Sequence, residues 1–60
     1  MLDIRRVILR IAIVEDDHDQ AEIVKLHLED AGYTCRHFDN AREFMRNISK
    51  ESYDLVLLDS

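Results

Sequence analysis

The sequence predicts an α/β domain built on a parallel sheet, in the order β-α-β-α-β. An aliphatic run over residues 7–14 ends on the acids Glu15, Asp16 and Asp17. Two amphipathic helical stripes follow, separated by a short alternating segment, and a second aliphatic run over residues 55–58 ends on Asp59. Strands that alternate with helices of this length form β-α-β units with right-handed crossovers, and such sheets place ligands at the carboxyl ends of their strands. Both acidic groups fall at those ends.

Residues 7–14 are β-branched and aliphatic with Arg10 as the only interruption, the composition of a strand covered on both faces. Over residues 19–31, Ile23, Val24, Leu28 and Ala31 recur at helical spacing, Glu22, Lys25, Glu29 and Asp30 take the other face, and Leu26 lies off the stripe. Gly32 stands where a helix needs a left-handed C′ residue, so the first helix should stop there. Residues 33–38 alternate aromatic, polar and small side chains, as in an outer strand with one side partly wet. Asn40, followed three places later by Glu43, forms a capping box. Ala41, Phe44, Met45 and Ile48 then make a second apolar stripe, which fades over residues 49–52.

With 60 residues, no proline and one glycine, nothing marks an internal boundary. Residues 1–9 read as an extension and the start of the first strand, and residues 10–60 as one unit. A chain this short buries only about 60% of its unfolded surface. Thirteen acids against eight bases leave a net charge of -5, which repels a polyanion and argues against nucleic-acid binding by this segment. The single Cys35 has no disulfide partner and fits a reducing compartment, where it serves as a small apolar residue of the second strand. No apolar run is long enough to span a membrane, and the early acid and arginines make a poor signal peptide, so a cytoplasmic location is expected.

Two carboxylates about 4 Å apart repel by about 4 kcal/mol at an effective dielectric near 20. Protons or a divalent cation must offset that repulsion in so small a domain. Oxygen-only ligands favour a hard ion such as Mg²⁺, which takes one or two carboxylates, keeps several waters and leaves room for a phosphate oxygen. A carboxylate is also a nucleophile toward phosphorus, and Asp59, alone at its strand tip, suits that role better than the crowded Glu15-Asp16-Asp17. The competing structural reading is that the first cluster only complements a helix dipole. His18, His27 and His37 show no ligand spacing on a shared helix face, and His27 is expected to be a half-buried packing residue.

The run Ile11-Ala12-Ile13-Val14-Glu15-Asp16-Asp17, the helix ending in Ala31-Gly32-Tyr33, and Asp54-Leu55-Val56-Leu57-Leu58-Asp59 resemble the receiver domain of two-component response regulators. The likeness covers residues 10–60 and corresponds to the first half of such a domain. It implies a flavodoxin-like (CheY-like) parallel sheet, a histidine kinase as phosphoryl donor, Asp59 as phosphoacceptor, and a Mg²⁺ site drawn from Glu15, Asp16 and Asp59. In that comparison Asp16 is a direct ligand, Glu15 acts mostly through water, and Asp17 serves the loop and helix start. The family also uses a backbone carbonyl two residues past the acceptor, a Ser or Thr after the fourth strand and a Lys after the fifth. The sixty residues stop before all three, so by themselves they are expected to lack a complete site and to be inactive.

A receiver sheet has strand order 2-1-3-4-5, which would leave residues 55–58 as an uncovered, two-sided apolar edge here. Self-association through that edge is therefore expected, unless the sixty residues are a fragment completed elsewhere. Two further readings stay open: a cation-binding or assembly module without phosphotransfer, and another α/β phosphotransferase with an aspartyl intermediate.

Overall fold

The computed structural model describes residues 9–58. In chain order these form β1 (Arg10–Val14), α1 (His18–Asp30), β2 (Thr34–Phe38), α2 (Ala41–Asn47) and β3 (Leu55–Leu58). The strands make one parallel sheet in the order β2-β1-β3, the first three positions of the expected flavodoxin-like arrangement. The earlier part of the first apolar run, Val7 and Ile8, lies outside the described residues.

β1 is central among the described strands, and its alternating side chains supply two cores. Ile11 and Ile13 pack with Ala21, Cys35, Val24, Leu28 and Leu57 on the α1 face. Ala12 and Val14 pack with Phe38, Phe44, Tyr53 and Val56 on the α2 face. Successive residues of a strand point to opposite faces, so an uninterrupted aliphatic strand is what a sheet covered on both sides needs. Phe38, Phe44 and Tyr53 meet edge-on or tilted, with centroids 5.5–6.0 Å apart, and close the second core.

α1 stops before Gly32 as foreseen, and it starts at His18, one residue before the apolar pattern was read to begin. Asp17 is the N-cap, its carboxylate accepting from the Asp19 and Gln20 amides. At the other end the Gly32 amide donates to Glu29 O at 3.0 Å and the Tyr33 amide to Leu28 O at 3.0 Å, the paired bonds of a Schellman motif, with Gly32 at φ +100°. The α2 cap departs by one residue from a strict box. Asn40 accepts from the Glu43 amide at 2.9 Å, but the Glu43 carboxylate accepts from the Asp39 amide at 3.3 Å.

The helix stripes are narrower than their spacing suggests. The buried line of α1 runs through Ala21, Val24 and Leu28, whereas Ile23 is 51% exposed and Ala31 and His27 are also exposed. Ala21, at 1% exposure, lets α1 sit close on β1. That seating turns Ile23, about 100° around the helix from Val24, onto the flank. On α2 only Phe44 is buried; Met45 is turned about 100° away from it, and Ala41 and Ile48, at the first position and the C-cap of this short helix, are also exposed. In β3, Val56 and Leu57 are half-buried, but Leu55 is 49% and Leu58 72% exposed.

Candidate functional site

The three strands end level with one another, Val14 standing opposite Phe38 on one side and Leu58 on the other. Glu15 follows directly and is held by both its backbone and its side chain. Its amide donates to Phe38 O at 3.0 Å, and its carbonyl lies 2.7 Å from His37 Nε2. A carbonyl only accepts, so that ring nitrogen carries the proton. The Glu15 carboxylate, 7% exposed as a residue, accepts from the Asp17 amide at 2.9 Å.

Asp16 differs from its neighbour in being exposed. It borders a depression of about 370 Å³ together with Glu15, Asp39, Asn40 and Leu58. Asp17 spends its carboxylate on the α1 cap, at the helix start where the resemblance placed it. Glu15 and Asp16 are thus brought to the carboxyl end of β1, beside the end of β3. Asp59, next in sequence after Leu58, lies outside the described residues. Among the described residues no three His, Cys, Asp or Glu side chains are arranged to hold a metal ion.

One polar cluster at this rim is invisible to helix spacing. His18 Nε2 lies 2.7 Å from Asp39 Oδ1, His37 Nε2 lies 3.9 Å from the same oxygen, and the two rings meet edge-on at 5.4 Å. The group joins the start of α1 to the end of β2. Because its members come from different elements, only the parallel β1–β2 register could have revealed it.

At the opposite end of the sheet, Glu51 accepts from Arg10 at 3.0 Å and from Arg36 at 3.4 Å, and the Tyr53 hydroxyl lies 2.9 Å from the same carboxylate. The Tyr53 hydrogen bond, helped by the two guanidinium groups, holds the Glu51 carboxyl below the usual carboxylate range. Burial, reinforced by Glu51, pushes the Tyr53 phenol up. Cys35 is buried among the α1-side residues, and that burial, with Glu29 nearby, raises its thiol above the ordinary value, as suits a packing residue.

A family model for the response regulator receiver domain matches residues 11–60. The chain belongs to this family. Among curated relatives, the receiver is 38% identical over 50 residues to the regulatory protein VanR of Enterococcus faecium, covering 83% of this chain and 22% of that protein. It is likewise 38% identical over 50 residues to the response regulator receiver protein CpdR of Brucella abortus (strain 2308), covering 83% of this chain and 42% of CpdR. A third relative, the uncharacterized transcriptional regulatory protein YcbL of Bacillus subtilis (strain 168), is 43% identical over 47 residues, 78% of this chain and 21% of its own. The chain therefore spans less than half the length of each of these relatives. No solved structure matches the receiver closely. No helix among its described residues is long and apolar enough to cross a membrane.

Proposed function

We propose that this receiver accepts a phosphoryl group from a histidine kinase onto Asp59 in the cytoplasm, with Mg²⁺ held by Glu15, Asp16 and Asp59. The observation that carries the reading is the level ending of β1 and β3: Val14 stands opposite Leu58, so the acid pair and the strand preceding Asp59 finish at one rim. The donor set is all oxygen, which fits a hard cation. Asp16, exposed beside the depression, suits direct contact, and Glu15, buried and engaged by the Asp17 amide, suits contact through water.

In the transfer, a carboxylate oxygen of Asp59 attacks phosphorus and the phosphorus–nitrogen bond of the donor phosphohistidine breaks. The electron pair stays on the departing imidazole, which leaves neutral with its other nitrogen protonated. The product is an acyl phosphate on Asp59. Bound Mg²⁺ supplies neutralisation of the charge on the phosphoryl oxygens. Phe38 and His37 contribute by fixing the Glu15 backbone, so that the carboxylates are oriented before the donor arrives.

The exposed Leu55 and Leu58 favour a second reading, an assembly module whose acids bind a cation without covalent chemistry. Incubating the full-length gene product with acetyl phosphate, with and without Mg²⁺, and measuring intact mass separates the two. A Mg²⁺-dependent phosphoryl adduct that Asp59→Asn abolishes supports phosphoacceptance. A folded protein that takes up no adduct supports the module.

A further inference from the structure

β3 reaches its place beside β1 without any local device to align it. The two strands are parallel and lie some forty residues apart, so no tight turn sets their register. Nor does the apolar pattern, because Leu55, Val56, Leu57 and Leu58 are aliphatic on both faces and a one-residue slip exchanges one aliphatic set for another. Something polar must choose the register.

We infer that Asp54 is the register pin of β3 and hence a positioning residue for the strand-tip Asp59. The Asp54 amide donates to Arg10 O at 2.8 Å, and the Arg10 amide donates back to Asp54 Oδ2 at 2.9 Å. This two-bond clasp joins the first residue of β1 to the residue just before β3. The same Arg10 is gripped twice more from the segment leading into β3: its guanidinium donates to Glu51 at 3.0 Å and lies 5.5 Å over the Tyr53 ring. With Arg10 held at 54, the pairs run Ile11 with Leu55 through Val14 with Leu58.

The consequence falls at the other end of the strand. A slip of one residue displaces a strand by about 3.3 Å and turns each side chain to the opposite face. Leu58, the last paired residue before Asp59 in sequence, would then no longer stand opposite Val14. A misplacement of about 1 Å can cost about 100-fold in rate, so the slip predicts at least that loss in phosphoryl uptake. This consequence rests on Asp59 being the acceptor; the register claim itself does not.

The test compares wild type, Asp54→Leu and Asp54→Asn in the full-length protein by two readouts. Cross-strand nuclear Overhauser contacts between residues 14 and 58 report the register, and Mg²⁺-dependent uptake from acetyl phosphate reports the site. Asparagine retains a side-chain oxygen for the Arg10 amide. Asp54→Asn is therefore expected to keep the wild-type contacts and uptake within about threefold, whereas folded Asp54→Leu loses the 14–58 contacts and about 100-fold in uptake. If folded Asp54→Leu keeps the wild-type contacts, Asp54 is not the pin. If Asp54→Leu does not fold, Asp54→Ala, which removes the same oxygen with less bulk, is read in its place: loss of the 14–58 contacts supports the pin and wild-type contacts overturn it. A wild type that takes up no phosphoryl group refutes the phosphoacceptor reading, and the contacts still decide the register.

Discussion

The three consecutive acids after β1 have three different tasks. Glu15 is buried with its carboxylate on the Asp17 amide, Asp16 faces the depression, and Asp17 caps α1. Asp17→Ala removes only the cap, because the amide that holds Glu15 is backbone. It is expected to lower stability by about 1 kcal/mol in denaturant unfolding while leaving Mg²⁺ affinity near wild type. A tenfold loss of affinity would show that Asp17 belongs to the ion site instead.

Glu51 gives a second residue-level expectation, in pH. Its carboxyl is held below the ordinary range by Tyr53 and then by Arg10 and Arg36, so the folded state favours the ionised form. That stabilisation is present above the unfolded carboxylate range and is lost as pH falls through the lowered folded value. Tyr53 has the opposite sign: its raised phenol favours the folded state below the ordinary phenol range, and the gain is lost as pH climbs through the raised value. Melting temperature against pH is expected to fall less steeply on the acid side in Glu51→Gln than in wild type; parallel acid limbs would refute the assignment. The place of Asp17 at the helix start came with the resemblance to receiver domains, and the structure gives it the N-cap. The Arg10–Glu51–Tyr53 group could not be read from sequence, since its members meet only after β3 has crossed to β1.

Among the elements, α1 is the one whose ends are most sharply written. Gly32 takes φ +100° with open space around the position where a Cβ would stand. Gly32→Ala therefore meets no clash, and its cost is conformational, about 1 kcal/mol by thermal or chemical unfolding. A neutral result would mean that the Schellman turn relaxes into another C-cap. The buried faces of the helices were less legible. Spacing could not tell Ala21 from Ile23 as the seated residue, because hydrophobicity favours isoleucine while close approach to β1 favours alanine. On α2, spacing likewise put Met45 and Ile48 in a core that, of that helix, Phe44 alone enters.

For the whole molecule, the parallel sheet and the placing of Glu15 and Asp16 at a strand end followed from the alternation of element types, whereas the strand order followed from the resemblance to receiver domains. The His18–His37–Asp39 cluster did not, because it depends on the β1–β2 register rather than on any spacing along the chain. Leu55 and Leu58 remain exposed on β3. The sixty residues in isolation are therefore expected to self-associate, with light-scattering mass rising over the micromolar range. A monodisperse folded monomer would contradict that expectation.

Convergence of Glu15, Asp16 and Asp59 on one hard cation is tested most directly by equilibrium Mg²⁺ titration of the full-length protein and its variants. Wild type should bind Mg²⁺, and Asp16→Asn and Asp59→Asn should each weaken binding by about tenfold or more, about 1.4 kcal/mol, without unfolding the protein. An Asp59→Asn protein that binds Mg²⁺ as tightly as wild type would place the ion elsewhere and contradict the site.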